Sequence, residues 1–240
     1  MSLIKNLFLG KKEKILKDSP QAEEKLSIHS IEKDYYTSAG KIIEIPKYNL
    51  IGNFHESPNK TYIIAWGSSG LEDAGGYKKL GKFIYVLLKQ GKIILTGAVS
   101  SPYSCQVANN GFFVVNGSTT GTELQSIFYA FDNCGNQLIK HHIGANIYNM
   151  GISENGNYCT CQSCMSNNED GNMLYFFELN KGELIWKSEA FEWANNYVFD
   201  LTNKTISLVM KDGYKYRYSF KGEFIDIEKW RTDRITRSKN

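Results

Sequence analysis

Three closely spaced cysteines are the residues with the clearest potential for chemistry in this chain. Cys159, Cys161 and Cys164 follow the spacing Cys-x-Cys-x-x-Cys. Thiolates at such spacings are common zinc ligands, but a structural zinc site needs four ligands in tetrahedral geometry. The fourth would have to come from Cys105, Cys134 or a histidine elsewhere in the chain. A zinc site is therefore one interpretation, and it competes with burial in a packed core.

The internal repeats of the sequence favour burial. Cys161 falls where the other copies place Ala65, Val115 and Val209, and Cys159 falls where they place Ile63, Phe113 and Ser207. Most of these residues are apolar, and buried cysteine behaves as a small hydrophobic side chain. We therefore predict that both thiols pack inside the protein, and we expect neither a metal nor a cofactor.

Histidines and carboxylates are the remaining candidates for chemistry. His141 and His142 are neighbours in a predicted strand, so their side chains point to opposite faces and cannot easily share a metal. Glu154, Glu169 and Asp170 could attract Ca²⁺, but they lack the ligand spacing of a calcium loop, and we interpret them as solvated. The sequence has no glycine-rich phosphate loop, nucleophile elbow or HExxH motif. These observations predict a protein that is not an enzyme.

Aromatic residues suggest binding instead. A tyrosine begins the first strand of each repeat, Trp193 lies just before the last of these strands, and Tyr77 lies in a long loop at residues 67–81. Tyrosine and tryptophan combine a large apolar area with a polar tip and are enriched at partner contacts. The predicted partner-binding residues are Tyr48, Tyr103, Tyr148, Trp193, Tyr197 and Tyr77. The alternative is that the tyrosines pack between the repeats.

The elements that must position these residues are repeated four-stranded units, clearest at residues 145–189. Each unit contains four short β-type runs, a to d, separated by turn residues. The a–b turns carry Asn59, Asn110, Asn155 and Asn203, and the c–d turns carry Gly91, Gly135, Gly182 and Gly222. By subtraction, the glycine spacings are 44, 47 and 40 residues. Periods of about 40 to 50 residues with four strands each are typical of β-propeller blades.

Over residues 41–230 the chain resembles the β-propeller repeat superfamily, and segment 172–189 is similar to a quinoprotein-type repeat. In that repeat an aromatic strand turns through glycine into a strand that ends in tryptophan, here Trp186. The Gly-His and Trp-Asp pairs of WD40-like repeats are absent. The resemblance implies an all-β fold, a small β-propeller of four to five four-stranded antiparallel blades. It also implies that the a strands line a central channel and that the tyrosines and the 67–81 loop share one face.

The chain divides into three predicted regions. Residues 1–30 mix apolar residues with lysine and glutamate, which predicts a short N-terminal helical extension. Residues 31–230 form the propeller repeats, with a half-repeat at 31–46 that either completes a fifth blade or covers an open edge. The fourth copy has its own d strand at residues 223–227. Residues 231–240 form a basic C-terminal tail. Contact of residues 1–16 with a membrane surface is an alternative role for the first region.

Composition limits the classes of partner and compartment. A net charge of +3 is too small to require nucleic acid, and no apolar run is long enough for a transmembrane helix. Five cysteines do not form a disulfide framework, which favours a cytoplasmic protein. Our first hypothesis is a non-enzymatic protein-binding module or scaffold that uses the Tyr/Trp-rich face. The alternative is a propeller enzyme or small-ligand sensor with a site in the central channel.

Overall fold

The computed structural model describes residues 26–31, 40–69, 71–74, 77–80, 82–118 and 125–237 of the 240-residue chain. These residues form four antiparallel sheets, numbered I to IV in chain order, and one separate two-stranded hairpin. The predicted all-β class is confirmed. In the described ranges, no α-helix has the length and apolar composition that crossing a membrane requires.

Sheet I contains the first repeat and two further strands that precede it in the chain and form a hairpin at its edge. Its strands, together with the separate hairpin β5–β6, are β1 (Ser27–Ile31), β2 (Gly40–Ile45), β3 (Leu50–Glu56), β4 (Tyr62–Ser68), β5 (Leu71–Ala74), β6 (Tyr77–Leu80), β7 (Phe83–Lys89) and β8 (Lys92–Gly97). The order β1-β2-β3-β4-β7-β8 places β2 beside β3, the a strand of the first repeat. The half-repeat therefore covers an open edge, and the predicted long loop is in part the β5–β6 hairpin.

Sheets II and III are regular four-stranded meanders, as the repeat pattern predicts. Sheet II contains β9 (Pro102–Val107), β10 (Phe113–Ser118), β11 (Ser126–Phe131) and β12 (Gln137–Ile143). Sheet III contains β13 (Ile147–Ile152), β14 (Tyr158–Ser163), β15 (Met173–Glu178) and β16 (Glu183–Glu189). Each strand pairs with the next one along the chain, so β9 and β13 are terminal strands of their sheets.

Sheet IV has three strands and a helix, which corrects the prediction of a fourth strand at residues 223–227. The elements are β17 (Asn196–Asp200), β18 (Thr205–Val209), β19 (Lys215–Ser219) and α1 (Ile227–Arg237). Only Phe224 makes a bridge pair, with Tyr218. Residues 231–237 of the predicted basic tail belong to α1. Trp230 Nε1 donates to Glu192 Oε1 at 2.9 Å, and the Arg237 guanidinium lies 4.2 Å from the Tyr214 ring centre.

The predicted N-terminal helical extension is not supported. Most of its range, residues 1–25, lies outside the described residues. The described end of the range is β1, which pairs with β2 in antiparallel register. The predicted membrane-contact segment at residues 1–16 also lies outside the described residues.

The turns form for the reasons that the repeat pattern predicted. All four c–d glycines have positive φ, between 66° and 91°, a region that glycine enters without the steric cost of a Cβ. In the a–b turns, the Asn59, Asn110 and Asn155 side-chain oxygens each accept the backbone N–H two residues later, at 3.0 to 3.1 Å. Asparagine stabilises turns through this local hydrogen bond.

Three hydrophobic cores lie between successive sheets and hold them together. Phe113 and Val115 of β10 face the core shared with sheet I, whereas Val114 faces the core shared with sheet III. Because alternate strand residues point to opposite faces, a sheet buried on both sides has continuous apolar strands. The third core packs Leu174 and Phe176 of sheet III against sheet IV.

Candidate functional site

The cysteine cluster lies in packed layers, as predicted. Cys159 and Cys161 are fully buried in the core between sheets II and III, and Cys164 follows β14 in a half-buried position. Burial raises the pKa of the Cys159 and Cys161 thiols, which disfavours the thiolate that a metal or an electrophile needs. In the part of the chain that the structure describes, no three His, Cys, Asp or Glu side chains are grouped to hold a metal ion.

The alignment of these cysteines with sheet IV needs a one-residue correction. Cys161 pairs with Tyr175, and the equivalent pair in sheet IV is Leu208 with Tyr216. Leu208 is therefore the counterpart of Cys161, and Val209 is not. Leu208 is buried against sheet III, whereas Val209 lies on the other face of the sheet and is only half-buried.

His141 and Asp170 are part of a structural network around β15. His141 packs 5.5 Å from the rings of Tyr175 and Phe177, and burial lowers its pKa, with Asp170 opposing that effect. Burial disfavours ionisation of Asp170, but hydrogen bonds from Lys187, Gly144 and Tyr175 outweigh it and lower the Asp170 pKa. The Lys187 ammonium lies 2.7 Å from the carboxylate. Asp170 is therefore a loop anchor, which corrects its interpretation as a solvated residue.

The six predicted partner-binding residues fall into three groups. Tyr103, Tyr148 and Trp193 have exposed side chains, with 76%, 42% and 44% of their surface accessible. Tyr48 is half-buried in the short 3₁₀ turn before β3, and Tyr197 is only 7% exposed. Tyr77 begins β6.

Tyr197 is buried because its place in the strand differs from that of the exposed tyrosines. In β9 and β13 the core positions are held by Cys105 and Met150, which pair with core residues of the neighbouring strands. Tyr103 and Tyr148 lie two residues before these positions. Tyr197 itself takes the core position, paired with Leu208. Its burial raises its pKa, and its hydroxyl donates to Gln162 Oε1 at 3.4 Å.

We call Tyr103, Tyr148 and Trp193 the aromatic surface. The rings of Tyr148 and Trp193 meet edge to face, with centres 4.5 Å apart and planes inclined by 67°. Tyr103 and Tyr148 are the second residues of β9 and β13, the first strands of sheets II and III, so they lie at the same end of these two strands. Exposed aromatic pairs of this kind combine apolar contact area with hydrogen-bonding groups.

Buried amides fix the loop that carries Trp193. Gln162 Oε1 accepts the Ala194 N–H at 3.1 Å, and Gln162 Nε2 donates to the Glu192 carbonyl at 2.9 Å. Asn149 Nδ2 donates to the Ala194 carbonyl at 3.0 Å. These bonds hold the backbone on both sides of Trp193, and the indole packs against the Tyr148 ring. Gln162 was not a predicted site residue.

A recurring link between sheets is the signal that could have identified Gln162. Trp66, Asn116 and Gln162 occupy the same position in β4, β10 and β14. Each side chain donates a hydrogen bond to a backbone carbonyl of the next sheet or of the loop that leads into that sheet. The bonds run from Trp66 Nε1 to Tyr103 (3.2 Å), from Asn116 Nδ2 to Ile147 (3.5 Å) and from Gln162 Nε2 to Glu192 (2.9 Å). In β18 the same position is Val209, and no further sheet follows it in the described ranges.

A cavity of about 450 Å³ lies where the inner strands of all four sheets meet, and we call it the axial cavity. Four equivalent inner-strand residues line it, namely His55, Gln106, Gly151 and Val198. His55 Nδ1 accepts the Val107 N–H at 3.2 Å, so the neutral imidazole carries its proton on Nε2. Burial lowers the His55 pKa, with Glu56 opposing, and favours that neutral form.

Comparisons with known proteins concern the fold alone. No protein-family model and no curated protein matches the sequence. Similar solved structures include Kuenenia stuttgartiensis hydrazine synthase, with 7% identity and a TM-score of 0.45 over 75% of this chain and 64% of that chain. Another is the β-propeller domain of Myceliophteria thermophila Cps50 (Swd1), with 8% identity and a TM-score of 0.43 over 75% of this chain and 58% of that one. The matched part is less than two thirds of either of those chains.

Proposed function

We propose that this chain is a non-enzymatic protein-binding module, in which sheets I to IV act as propeller blades and a protein partner contacts the aromatic surface. The observation that carries the proposal is the exposed, edge-to-face pair of Tyr148 and Trp193, held by buried amides of sheet III. Large rigid aromatic side chains contribute much of the energy at protein interfaces. Because the backbone around Trp193 is already held by hydrogen bonds, less entropy is lost when a partner binds than for a free loop.

The axial cavity supports the alternative, a channel enzyme or ligand sensor, less well. His55 Nδ1 is engaged by the Val107 amide, and the Ser153 hydroxyl is engaged by Asn155 and by the Tyr158 N–H. These groups stabilise strands and turns and are not positioned as a nucleophile with its base. We therefore favour the binding module.

The chain has features expected of a protein in a reducing compartment. All five cysteines are free, including the exposed Cys134. Free thiols persist in the cytoplasm, whereas oxidising compartments favour disulfides. We propose the cytoplasm as the place where the partner is met.

The test is capture of the partner from native cell extract with three purified proteins. These are the wild type, a Tyr148→Ala/Trp193→Ala variant, and an Ile94→Ala variant as matched control. Ile94 is 40% exposed on β8, the outer strand of sheet I, away from the aromatic surface. Loss of two interface aromatics costs roughly 2 kcal/mol or more each, so retention of a stoichiometric partner should fall by at least about tenfold.

Quantitative mass spectrometry measures the retained partner, and urea unfolding checks that the variants fold. The proposal requires that wild type and Ile94→Ala retain one partner equally and that the double variant loses it. A partner that the double variant retains would refute the aromatic surface. Absence of any stoichiometric partner for the wild type would refute the binding module.

A further inference from the structure

The inner edges of the sheets differ in what covers them. β9, β13 and β17 are each the terminal inner strand of a sheet, so one edge of each has no neighbouring strand among the described residues. Unpaired edge N–H and C=O groups are a ready template for pairing with another strand. In this protein, side chains of the preceding sheet bond two of these edges.

The two bonded edges use equivalent residues. His55 of sheet I accepts the Val107 N–H of β9 at 3.2 Å, and Gln106 of sheet II donates to the Met150 carbonyl of β13 at 2.8 Å. The equivalent residue of sheet III is Gly151, which has no side chain. A Cβ there would lie 2.9 Å from the Tyr197 ring, so close packing excludes a longer residue.

β17 is therefore the exception. Asn149 of sheet III donates from Nδ2 to the Ala194 and Asn195 carbonyls, which precede the strand, and its Oδ1 accepts the Met150 N–H of its own strand. Among the hydrogen bonds of the described residues, none joins the backbone of residues 196–200 to a side chain of another sheet. Within the described ranges, the inner edge of β17 therefore has no strand and no side chain of another sheet hydrogen-bonded to it.

The axial cavity runs along this open edge. Asn196, Val198 and Phe199 line it from sheet IV, and Val198 is 49% exposed. Glu154 is among its lining residues, and none of those residues is a lysine or an arginine. The site thus offers backbone hydrogen-bonding groups, a lining of mixed polar and apolar side chains, and one glutamate.

We propose that the axial cavity binds an extended, uncharged or basic peptide segment that pairs as a strand with the inner edge of β17. Its backbone would hydrogen-bond to alternate residues of 196–200, and every second side chain would enter the cavity beside Val198. Addition of a peptide strand to an open sheet edge is a common recognition mode. The cavity reaches Val107 and Ile152 at the ends of β9 and β13, whereas Tyr103 and Tyr148 lie near the beginning of those strands.

The probe is the peptide acetyl-Lys-Thr-Val-Thr-Val-Thr-Lys-amide, which favours an extended strand and complements the Glu154 carboxylate. A matched peptide with both valines replaced by proline cannot donate the corresponding backbone hydrogen bonds. Affinity is measured by fluorescence anisotropy, and amide hydrogen exchange by NMR locates the bound peptide. At saturation, exchange of alternate amides in residues 196–200 should slow at least about tenfold.

Variants separate this site from the proposed function. Val198→Trp fills the cavity and should weaken peptide binding at least about tenfold, whereas Val198→Thr keeps the β-branched shape and should bind as the wild type does. The proline peptide should also bind at least about tenfold more weakly. Trp193→Ala should leave peptide affinity unchanged, so failure of either site can be recognised independently.

The proposal is overturned if the amides of residues 196–200 gain no protection at a peptide concentration of about 1 mM. It is equally overturned if the proline peptide binds as tightly as the valine peptide, or if protection appears only at another edge, such as β1. Equal affinity of Val198→Trp and Val198→Thr for the peptide, with both variants folded by circular dichroism, would also contradict it.

Discussion

His55 shows how a single side chain connects two sheets and makes their contact sensitive to pH. Its Nδ1 atom accepts the Val107 N–H at 3.2 Å, which joins β3 to β9. Protonation of Nδ1 would remove this acceptor and place a positive charge in a half-buried site. Burial therefore lowers the His55 pKa, although the nearby Glu56 carboxylate opposes the shift. The link is strongest when the imidazole is neutral.

We predict that His55 makes the protein less stable in mild acid. Its folded pKa lies below the unfolded value of 6.5, so its stabilising contribution is complete above about pH 6.5 and is lost as the pH falls through that value and through the lower folded pKa. Urea midpoints at pH 8 and pH 5 measure the loss. His55→Asn keeps an oxygen that can accept the Val107 N–H but cannot titrate, so its midpoint should fall less between these pH values.

His142→Asn is the matched control, because His142 is exposed on β12 and makes no link of this kind among the described contacts. Because the His142 charge acts on the neighbouring His141, this variant should alter the pH dependence, but by less than His55→Asn does. Identical pH dependence in wild type and His55→Asn would show that His55 does not contribute.

At the scale of elements, sheet IV replaces a fourth strand by a turn and a helix. Arg217 in the outer strand β19 donates its backbone N–H to Asp226 Oδ2 at 2.9 Å, and its carbonyl accepts the Ile225 N–H at 2.9 Å. The Arg217 guanidinium also lies 2.7 Å from the Asp226 carboxylate and holds the Asp226 pKa below its usual range. The outer edge of β19 is therefore covered by its own chain, in contrast to the inner edge of β17.

We predict that Asp226→Ala destabilises the protein and exposes the β19 edge. The change removes the acceptor of the exposed Arg217 N–H, and loss of this hydrogen bond should cost about 0.5–1.5 kcal/mol of unfolding free energy. An uncovered edge also favours self-association. Urea unfolding measures the first effect, and sedimentation velocity at increasing concentration measures the second.

Glu228→Ala is the matched control for the loss of a carboxylate. Glu228 pairs with Arg231 on the exposed surface of α1, where such a pair contributes about 0.5 kcal/mol or less. Equal unfolding free energies for the two variants would show that Asp226 does not protect the edge.

At the scale of the whole molecule, stability depends on three cores that connect the sheets in series. Phe128 of sheet II and Phe177 of sheet III illustrate the middle core, since both are fully buried and their rings stack with centres 5.1 Å apart. Sheets II and III are covered on both faces, and they carry Gln106 and Gly151 of the axial cavity and the amides that bond the loop around Trp193. The middle core therefore affects both proposed binding sites.

We predict that Phe128→Ala lowers the unfolding free energy by about 3–5 kcal/mol, because it removes a buried ring and leaves a cavity. The matched control is Ile51→Ala, at an exposed position on β3, which should change stability by less than about 0.5 kcal/mol. Urea unfolding monitored by circular dichroism measures both variants. A loss below about 1 kcal/mol for Phe128→Ala would mean that the middle core is not a main source of stability.

The described fold follows from the sequence wherever the cause is local. Asn59, Asn110 and Asn155 stabilise turns with their own side chains, and the c–d glycines reach positive φ without help from distant residues. The alternation of apolar residues likewise places Cys159 and Cys161 in a core. Strand number, turn position and buried faces in sheets II and III could therefore be predicted.

Tertiary structure decided what depends on contacts between distant segments. Residues 223–227 have the composition of a strand, but Arg217 and Asp226 turn the chain there and α1 follows. Tyr197 has the same residue type as Tyr148, but its register against β18 buries it. Local composition determined the strands and turns of sheets II and III. Pairing between segments far apart in the chain decided which edges are covered, which aromatic rings are exposed, and which edge remains open.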